Sequence, residues 1–192
     1  MEPKPWYPKD FAQALCNTLA EEEVSQHLQK PGSAPRSVYG VLMLPTVLRY
    51  YIGANAADSI ELSMTPATLS GYQLYEYAES SAPVIARSPD PQAAVEGILV
   101  FSLTDRQRNA IYELEGGLAG LVNVEVEICQ RDRWGVHQVC PVEAGAFAWQ
   151  GSRDGLVCMR GAAWSVDGFL CSPLYENMVQ SQRRAAMELS AC

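Results

Sequence analysis

The sequence predicts an α+β fold: a small mixed β-barrel flanked by helices, with an extra helix at the N-terminus. Residues 67–77 and 121–128 alternate apolar and polar side chains, which is typical of half-buried strands. Residues 45–52 and 104–114 carry helix start signals: a proline in the first turn of one and a Thr-x-x-Gln capping box in the other. Several short strands separated by short helices favour a barrel that keeps its helices on the outside.

Composition limits the partners that the protein can have. The chain has 192 residues, of which 48% are hydrophobic, so it can bury one core of its own. A net charge of −8 argues against nucleic acid and against an anionic membrane surface, because both require a basic patch. No apolar run approaches the roughly 20 residues of a membrane-spanning helix, and the first residues lack the apolar region of a signal peptide. We therefore expect a cytoplasmic protein with no nucleic-acid or membrane partner. Separately, we expect a small-molecule substrate and a monomeric or homodimeric state.

Cysteines and histidines give no pattern of a metal site. The six cysteines are widely and irregularly spaced, so we expect free, mostly buried thiols rather than disulfides. Cys–His catalysis would need His137 with Cys129 or Cys140, and an offset of three puts His137 and Cys140 on opposite faces of a strand. The sequence also lacks the glycine-rich phosphate motifs and the G-x-S-x-G elbow. We expect no metal and no cofactor.

The N-terminal part reads as an addition to the core. Residues 1–9 contain three prolines and predict an extended arm. Residues 10–30 predict one helix with Asp10 as its N-cap and a single apolar face. A Pro-Gly-Ser-Ala-Pro run ends that helix and forms a linker. The predicted domain organisation is an arm and helix at 1–35, a barrel domain at 36–175 and a helical tail at 176–192. The apolar face of the helix comprises Phe11, Leu15, Leu19, Val24 and Leu28.

The core elements follow in order. A strand ends at Leu42, and a helix over 45–52 is stopped by Gly53. After a loop, residues 67–77 predict one strand bent at Gly71. Two further extended segments, at 83–86 and 95–101, precede the helix at 104–114, for which Gly116 or Gly117 offers a left-handed cap. A strand over 121–128, a hairpin through 149, a loop over 151–164 and a helical region that restarts after Pro173 complete the chain.

The run Val38-Tyr39-Gly40-Val41-Leu42, followed by Pro45-x-Val47-Leu48, resembles the opening motif of the gamma-glutamylcyclotransferase-like family, also called avirulence-induced-gene-like. Further short motifs occur in the order that the family has, and together they cover about residues 36–175. These motifs are Leu69-x-Gly71-Tyr72, Pro83-Val84-Ile85, Val95-x-Gly97-x-Leu99, Leu103-Thr104, Leu114-Glu115-Gly116, Ala146-Phe147-x-Trp149, and Trp164 with Phe169.

This resemblance implies a small barrel with a cavity at one mouth and an enzymatic function as a lyase or acyltransferase. Glu115 matches the family's acid, which acts as general base and removes a proton from the α-amino group of a gamma-glutamyl substrate. The freed amine attacks the side-chain amide, and 5-oxoproline and an amine are released. The backbone N–H groups of the matching loop hold the substrate carboxylate. The substrate-binding residues implied in this way are Tyr39, Gly40, Val41, Leu42, Pro83 and Leu121.

The chemistry of these residues is consistent with that role. Closure of a five-membered ring is intramolecular, so the protein has to fix the substrate conformation and manage proton transfer. A carboxylate can accept and return the proton when burial raises its pKa toward neutrality. The apolar neighbours of Glu115 favour such burial. Glu113 is roughly 200° away around the helix and should be solvated. Gly40 allows the backbone to approach a ligand closely.

Some positions depart from the family's pattern. Val41 replaces a hydroxyl residue, Tyr112 replaces an aspartate, and Leu121-Val122-Asn123 replaces a Tyr-x-Arg motif. A more apolar pocket predicts a divergent member with a more hydrophobic substrate.

Three functions therefore stay open: a gamma-glutamyl cyclotransferase, a cyclase, isomerase or lyase of secondary metabolism that uses Glu115, and a non-catalytic binding protein. Tyr39 can either bind substrate through its hydroxyl or only pack in the barrel. For Arg49 and Arg87 we expect surface positions.

Overall fold

A computed structural model describes residues 1–55, 58–80 and 82–190, without the side chains of 188–190. Its eight strands are β1 (Arg36–Val38), β2 (Met64–Ser70), β3 (Tyr72–Tyr77), β4 (Ala82–Arg87), β5 (Ala94–Val100), β6 (Gly120–Arg131), β7 (His137–Ala148) and β8 (Leu156–Cys158). Its α-helices are α1 (Lys9–Cys16), α2 (Glu21–Gln29), α3 (Pro45–Ile52), α4 (Asp105–Glu115), α5 (Asp167–Leu170) and α6 (Pro173–Ser190). Two 3₁₀-helices cover Gly40–Met43 and Ile60–Ser63.

Five strands close into a barrel in the order β1-β5-β2-β6-β7, and β4-β3-β8 form a separate small sheet. Neighbouring barrel strands are antiparallel except at the closure, where β1 runs parallel to β7 and Arg36 pairs with Gly145. Apolar side chains fill the barrel, and a second apolar layer packs between the barrel and the helices. The predicted α+β barrel flanked by helices is confirmed.

The N-terminal helical region is divided, so the prediction of one helix over 10–30 is wrong. Between α1 and α2 the chain is held by contacts with distant residues. The side-chain amide of Asn17 donates to the Met64 carbonyl at 2.8 Å, and the Arg131 N–H donates to the Leu19 carbonyl at 2.9 Å. The Thr65 hydroxyl also donates to the Asn17 carbonyl at 2.7 Å, so the carbonyls of Asn17 and Leu19, which a continuous helix would use for its own bonds, are bound elsewhere, and this explains the interruption.

Gly71 separates two strands in two sheets, and the predicted single strand over 67–77 is therefore wrong. The residue has φ +76°, a conformation that favours glycine, and its N–H donates to the Ala93 carbonyl at 2.8 Å. β2 stays in the barrel, while β3 leaves it to pair with β4 and β8. β8 lies within residues 151–164, for which the sequence predicted only a loop.

The start of α4 and its closure at Gly116 are as predicted, but the left-handed cap is not. Thr104 accepts from the Gln107 N–H, and the Gln107 side chain accepts from the Thr104 N–H, so the capping box is confirmed. Gly116 has φ −68° and is not a left-handed cap. A β-carbon there would lie 2.6 Å from the Tyr112 carbonyl oxygen, so glycine serves close packing on the last helical turn.

Arg49 is buried, contrary to the predicted surface position. Its guanidinium donates to the carboxylates of Asp10 at 3.3 Å and Glu61 at 3.2 Å, and all three side chains are at most one-fifth exposed. Asp10 is not the N-cap of α1, because Pro8 holds that position. The arginine is buried because two carboxylates compensate for the loss of its hydration.

Leu28 and most of the cysteines were predicted to be buried, and these predictions are wrong. Leu28 is 41% exposed, although the helical pattern put it on the apolar face. The five cysteines that the structure describes are free as expected, but four are exposed and Cys140 is half-buried. Within the described residues, no helix has the length and apolarity to cross a membrane. The domain boundaries stay predictions.

Candidate functional site

Glu115 is the last residue of α4 and is half-buried where this helix meets the barrel. Burial raises the pKa of its carboxyl group to about 7. Glu113, two residues earlier, is exposed as predicted. The side chain that the sequence identified as a base therefore lies in an environment that gives it a basicity suited to proton transfer near neutral pH.

The Glu115 side chain contributes to the wall of a small cavity between α4 and the barrel. The enclosed volume is about 10 Å³, which is about the space that one water molecule requires. Apolar side chains form most of the wall, which accounts for the poor solvation of the carboxylate. The residues around the cavity are Arg36, Ser37, Val38, Tyr39, Leu42, Ile111, Glu115 and Phe147.

The segment after β1 turns at Gly40 into the short 3₁₀-helix Gly40–Met43. Gly40 has φ +66°, and a β-carbon on it would lie 2.6 Å from Cγ of Pro83. Both the backbone angle and the contact require glycine at this position. Pro83 thus contributes by packing on the turn, and the first N–H groups of the 3₁₀-helix have no partner within the helix. Their binding of a substrate carboxylate stays a prediction.

We expect Gly40→Ala to lower both stability and activity. A side chain at φ +66° costs about 1–2 kcal/mol, and the methyl group would push Pro83 away from the turn. Thermal unfolding and kcat/KM should show a loss of stability together with an at least tenfold loss of activity. Gly135→Ala is the matched control, because Gly135 has φ +79° and open space around it. Equal activity of both variants would contradict a role of the turn in the site.

Tyr39 is buried, and its hydroxyl donates to the Phe147 carbonyl oxygen at 2.7 Å. Burial, together with the nearby Glu115 carboxylate, raises the pKa of the phenol, so Tyr39 stays neutral. The Ile85 backbone acts in the opposite direction on this pKa. The Tyr39 hydroxyl group thus links the turn to β7 in this structure. A role of this hydroxyl group in substrate binding stays a prediction.

The remaining predicted residues lie beside the cavity. Val41 belongs to the 3₁₀-helix between Gly40 and Leu42 and packs against the core. Leu121 is 40% exposed and pairs with Phe147 across β6 and β7. Leu121 is therefore an exposed neighbour of Phe147, which lines the cavity.

Five of the eight cavity residues were not predicted as site residues: Ser37 and Val38, which directly precede Tyr39, and Arg36, Ile111 and Phe147. Ile111 lies four residues before Glu115 and thus on the same helix face, so the helical period could have identified it. Phe147 comes from β7 and was part of a quoted motif without a role. Arg36 shares a strand face with Val38, but a strand of three residues gives no periodic signal that would identify it.

Other reactive groups lie apart from this cavity. Sγ of Cys129 and Nδ1 of His137 are 3.5 Å apart on the exposed part of the β6–β7 hairpin. In the part of the chain that the structure describes, no three His, Cys, Asp or Glu side chains are grouped as metal ligands. The arrangement around Glu115 can therefore supply a weakly solvated carboxylate for proton transfer beside a glycine turn.

The solution structure of an Arabidopsis thaliana protein shows the same fold. It matches with a TM-score of 0.51 and 21% identity, and the match covers 84% of this chain and 86% of that chain. A second Arabidopsis thaliana solution structure gives a TM-score of 0.48 and 16% identity, with 82% and 93% covered. A gamma-glutamyl cyclotransferase gives 0.43 and 14% identity, with 62% and 68% covered.

A comparison with curated proteins finds no match. Residues 37–166, which include the last two residues of β1, the glycine turn and α4, match the family model described as gamma-glutamyl cyclotransferase, AIG2-like. This match covers more than half of the chain and includes every predicted site residue. The chain therefore belongs to the gamma-glutamyl cyclotransferase, AIG2-like family.

Proposed function

We propose that the protein is a cyclotransferase that releases 5-oxoproline from a gamma-glutamyl amide or conjugate, with Glu115 as the general base. The observation that carries the proposal is the half-buried carboxylate of Glu115, whose pKa burial raises to about 7, beside the turn at Gly40. The family supports the reaction type, and the position of the carboxylate supports the role of this residue.

The reaction needs one group that both accepts and returns protons. The carboxylate of Glu115 takes a proton from the α-ammonium group, and the freed amine attacks the γ-carbonyl carbon. A carbon–nitrogen bond forms in the ring, and the bond to the leaving nitrogen breaks. Two protons leave the α-nitrogen in all, and two arrive at the leaving nitrogen, which departs as an ammonium ion. A carboxyl group with a pKa near 7 can carry each of them in turn.

Substrate binding requires the cavity to widen. Its volume of about 10 Å³ holds about one water molecule, which is too little for a gamma-glutamyl group. Tyr112 is 55% exposed and contacts the ring of Phe147, with centroids 5.9 Å apart. Tyr112 and Leu121 are exposed neighbours of Phe147, which lines the cavity, so rotation of these two side chains is one movement that would admit a substrate.

The apolar wall favours a second candidate. Val38, Leu42 and Ile111 surround the carboxylate, and Val41 and Leu121 stand where the family has a hydroxyl residue and a tyrosine. A cyclase, isomerase or lyase that acts on a hydrophobic substrate of secondary metabolism could use the same base. Such an enzyme would release no 5-oxoproline, which separates it from the first candidate. A binding protein without catalysis would not require a carboxylate with a raised pKa.

The direct test is 5-oxoproline release by the purified protein. Gamma-glutamyl amines, gamma-glutamyl dipeptides and glutathione should be supplied separately, and the product quantified by mass spectrometry. We expect release from at least one class at a rate proportional to enzyme concentration. No release from any of them would refute the cyclotransferase proposal.

The acid limb of the pH profile provides a further prediction. The base must be deprotonated in the free enzyme, and burial holds the pKa of Glu115 at about 7. We therefore expect kcat/KM to fall about tenfold per pH unit below pH 7, measured from pH 5 to pH 9. An unperturbed glutamate, with a pKa of about 4.3, would leave kcat/KM flat down to about pH 5. A flat profile between pH 5 and pH 7 would exclude Glu115 as the base.

A further inference from the structure

Arg36 lies beside the cavity in a position that packing holds firmly. It stands on β1, directly across from Gly145 on β7. A β-carbon at Gly145 would lie 2.9 Å from Nη1 of Arg36 and 3.1 Å from Cδ1 of Leu121, so the guanidinium extends across β7 toward Leu121. Asn123, where the family pattern has an arginine, pairs with the same Gly145. An arginine from a different strand therefore occupies this face of the barrel.

The guanidinium of Arg36 has donors that the protein does not use. Nη1 donates to the carbonyl oxygens of Ala34 at 3.2 Å and Pro35 at 3.4 Å. Nε is buried without a hydrogen-bond partner, and among the described residues no carboxylate lies within 4.0 Å of the group. Burial and the nearby Arg108 lower the pKa of Arg36. A half-buried cation next to a second cation is unfavourable unless an anion is bound.

The surroundings of Arg36 are accessible to a ligand. The residue contributes to the wall of the small cavity that Glu115 also lines, and to an open groove of about 450 Å³ on the barrel exterior. Asn123 and Gly145 also line this groove, and Glu125 and Glu143 lie in its wall. A ligand in the groove can thus extend from solvent past Arg36 toward Glu115.

Arg36 is too far along the chain to bind the same carboxylate as the glycine turn. Four residues of extended backbone, at about 3.3 Å each, place its Cα about 13 Å from that of Gly40. Nη1 of its side chain lies over Gly145 of β7, where the residue borders an open groove on the barrel exterior. In a gamma-glutamyl amino acid the second carboxylate belongs to the leaving group, on the other side of the reacting amide from the first. Arg36 borders the open groove, where a leaving group that projects toward solvent would lie.

We propose that Arg36 is a specificity-determining residue that binds a carboxylate on the leaving-amine side of the substrate. This inference rests on the proposed function and narrows its substrate class to gamma-glutamyl amino acids and peptides, in preference to gamma-glutamyl amines. Glycine at 145 is then required because it leaves room for the guanidinium. Arginine suits this role because its planar group can donate two parallel hydrogen bonds to a carboxylate.

The test compares two substrates that differ in one carboxylate: gamma-glutamylalanine and gamma-glutamylethylamine. Arg36→Gln should lower kcat/KM for gamma-glutamylalanine by tenfold to a hundredfold and leave gamma-glutamylethylamine within about twofold. Arg36→Lys, which keeps the charge without the planar group, should fall between wild type and Arg36→Gln. Arg106→Gln is the control, since it removes a charge from the exposed face of α4. Thermal unfolding of each variant verifies the fold.

Binding separates this inference from the proposed function. Calorimetric titrations in a Glu115→Gln background, with and without Arg36→Gln, measure the affinity for both compounds in the absence of turnover. A selective loss of affinity for gamma-glutamylalanine supports Arg36 as the carboxylate site even if wild type releases no 5-oxoproline, in which case the proposed reaction alone fails. Equal effects on both compounds, no effect on either, or no binding of either would refute the role of Arg36.

Discussion

Glu115→Gln should reduce turnover by about 10²–10⁴-fold while leaving the fold intact. The substitution preserves the size of the side chain and removes the group that accepts the proton, and general-base catalysis contributes about that factor. The measurement is single-turnover release of 5-oxoproline from the substrate that the assay identifies. Glu113→Gln is the matched control, because Glu113 lies two residues away on the same helix and is exposed. A Glu115→Gln enzyme with wild-type rate would remove both enzymatic proposals.

The same variant should be more stable than wild type above pH 7. Glu115 has a pKa of about 7 in the folded state and about 4.3 when unfolded, so the folded protein binds the proton more tightly. Below pH 4 the Glu115 carboxyl is protonated in both states, so it does not change the free energy of unfolding. Between pH 4 and pH 7 the wild-type protein loses stability, because the carboxyl group of the unfolded state loses its proton first. Above pH 7 the carboxylate is charged in both states, and the full loss of stability is present. Urea denaturation at pH 8 should show a gain of about 1–3 kcal/mol for Glu115→Gln, which disappears at pH 4. No difference at pH 8 would show that the carboxylate is well solvated.

Arg49→Ala should produce the largest loss of stability. The guanidinium connects α1, α3 and the 3₁₀-helix Ile60–Ser63 through Asp10 and Glu61. Its removal leaves two poorly exposed carboxylates without a cation, which costs about 3–5 kcal/mol. We expect the midpoint of thermal unfolding to fall by about 6–20 °C, at about 2–4 °C for each kcal/mol.

The control for Arg49→Ala is Arg106→Ala, which removes an exposed arginine and should change the midpoint by little. A second comparison separates charge from packing. The triple substitution Arg49→Met, Asp10→Asn and Glu61→Gln removes the whole network with little change in volume, so it should recover much of the loss. If the triple variant is as unstable as Arg49→Ala, the effect comes from packing and not from uncompensated charge.

Local chemistry explains which parts of the fold the sequence could predict. The capping box at Thr104 and Gln107 is satisfied within one helical turn, so its signal is complete in the sequence. The interruption between α1 and α2 is different, because its bonds go to Met64 and Arg131. Likewise, the sequence pattern around Gly71 is the same whether a single strand bends there or the chain passes from one sheet to another. Tertiary contacts decided these outcomes, and no local pattern records them.

The site divides in the same way. Glu115 could be identified because a carboxylate next to a helix-ending glycine is a local feature, and because family motifs surround it. Arg36 could not, because the groups that confine it, Gly145 and Leu121, come from β7 and β6. The burial of Arg49 depends in the same way on Asp10 and Glu61, which belong to other elements. The environment of such residues is formed by segments that are distant in sequence, so the local sequence pattern cannot predict it.

The parallel pairing of β1 with β7 has a consequence for the order of events during synthesis. As the polypeptide emerges from the ribosome, β1 can find β5 once Val100 is available, but its other edge stays vacant until Gly145 and Ala146 have been translated. Contacts between segments so distant in sequence form slowly. A nascent chain therefore passes through a stage with an open strand edge, during which chaperones or neighbouring nascent chains can reach it.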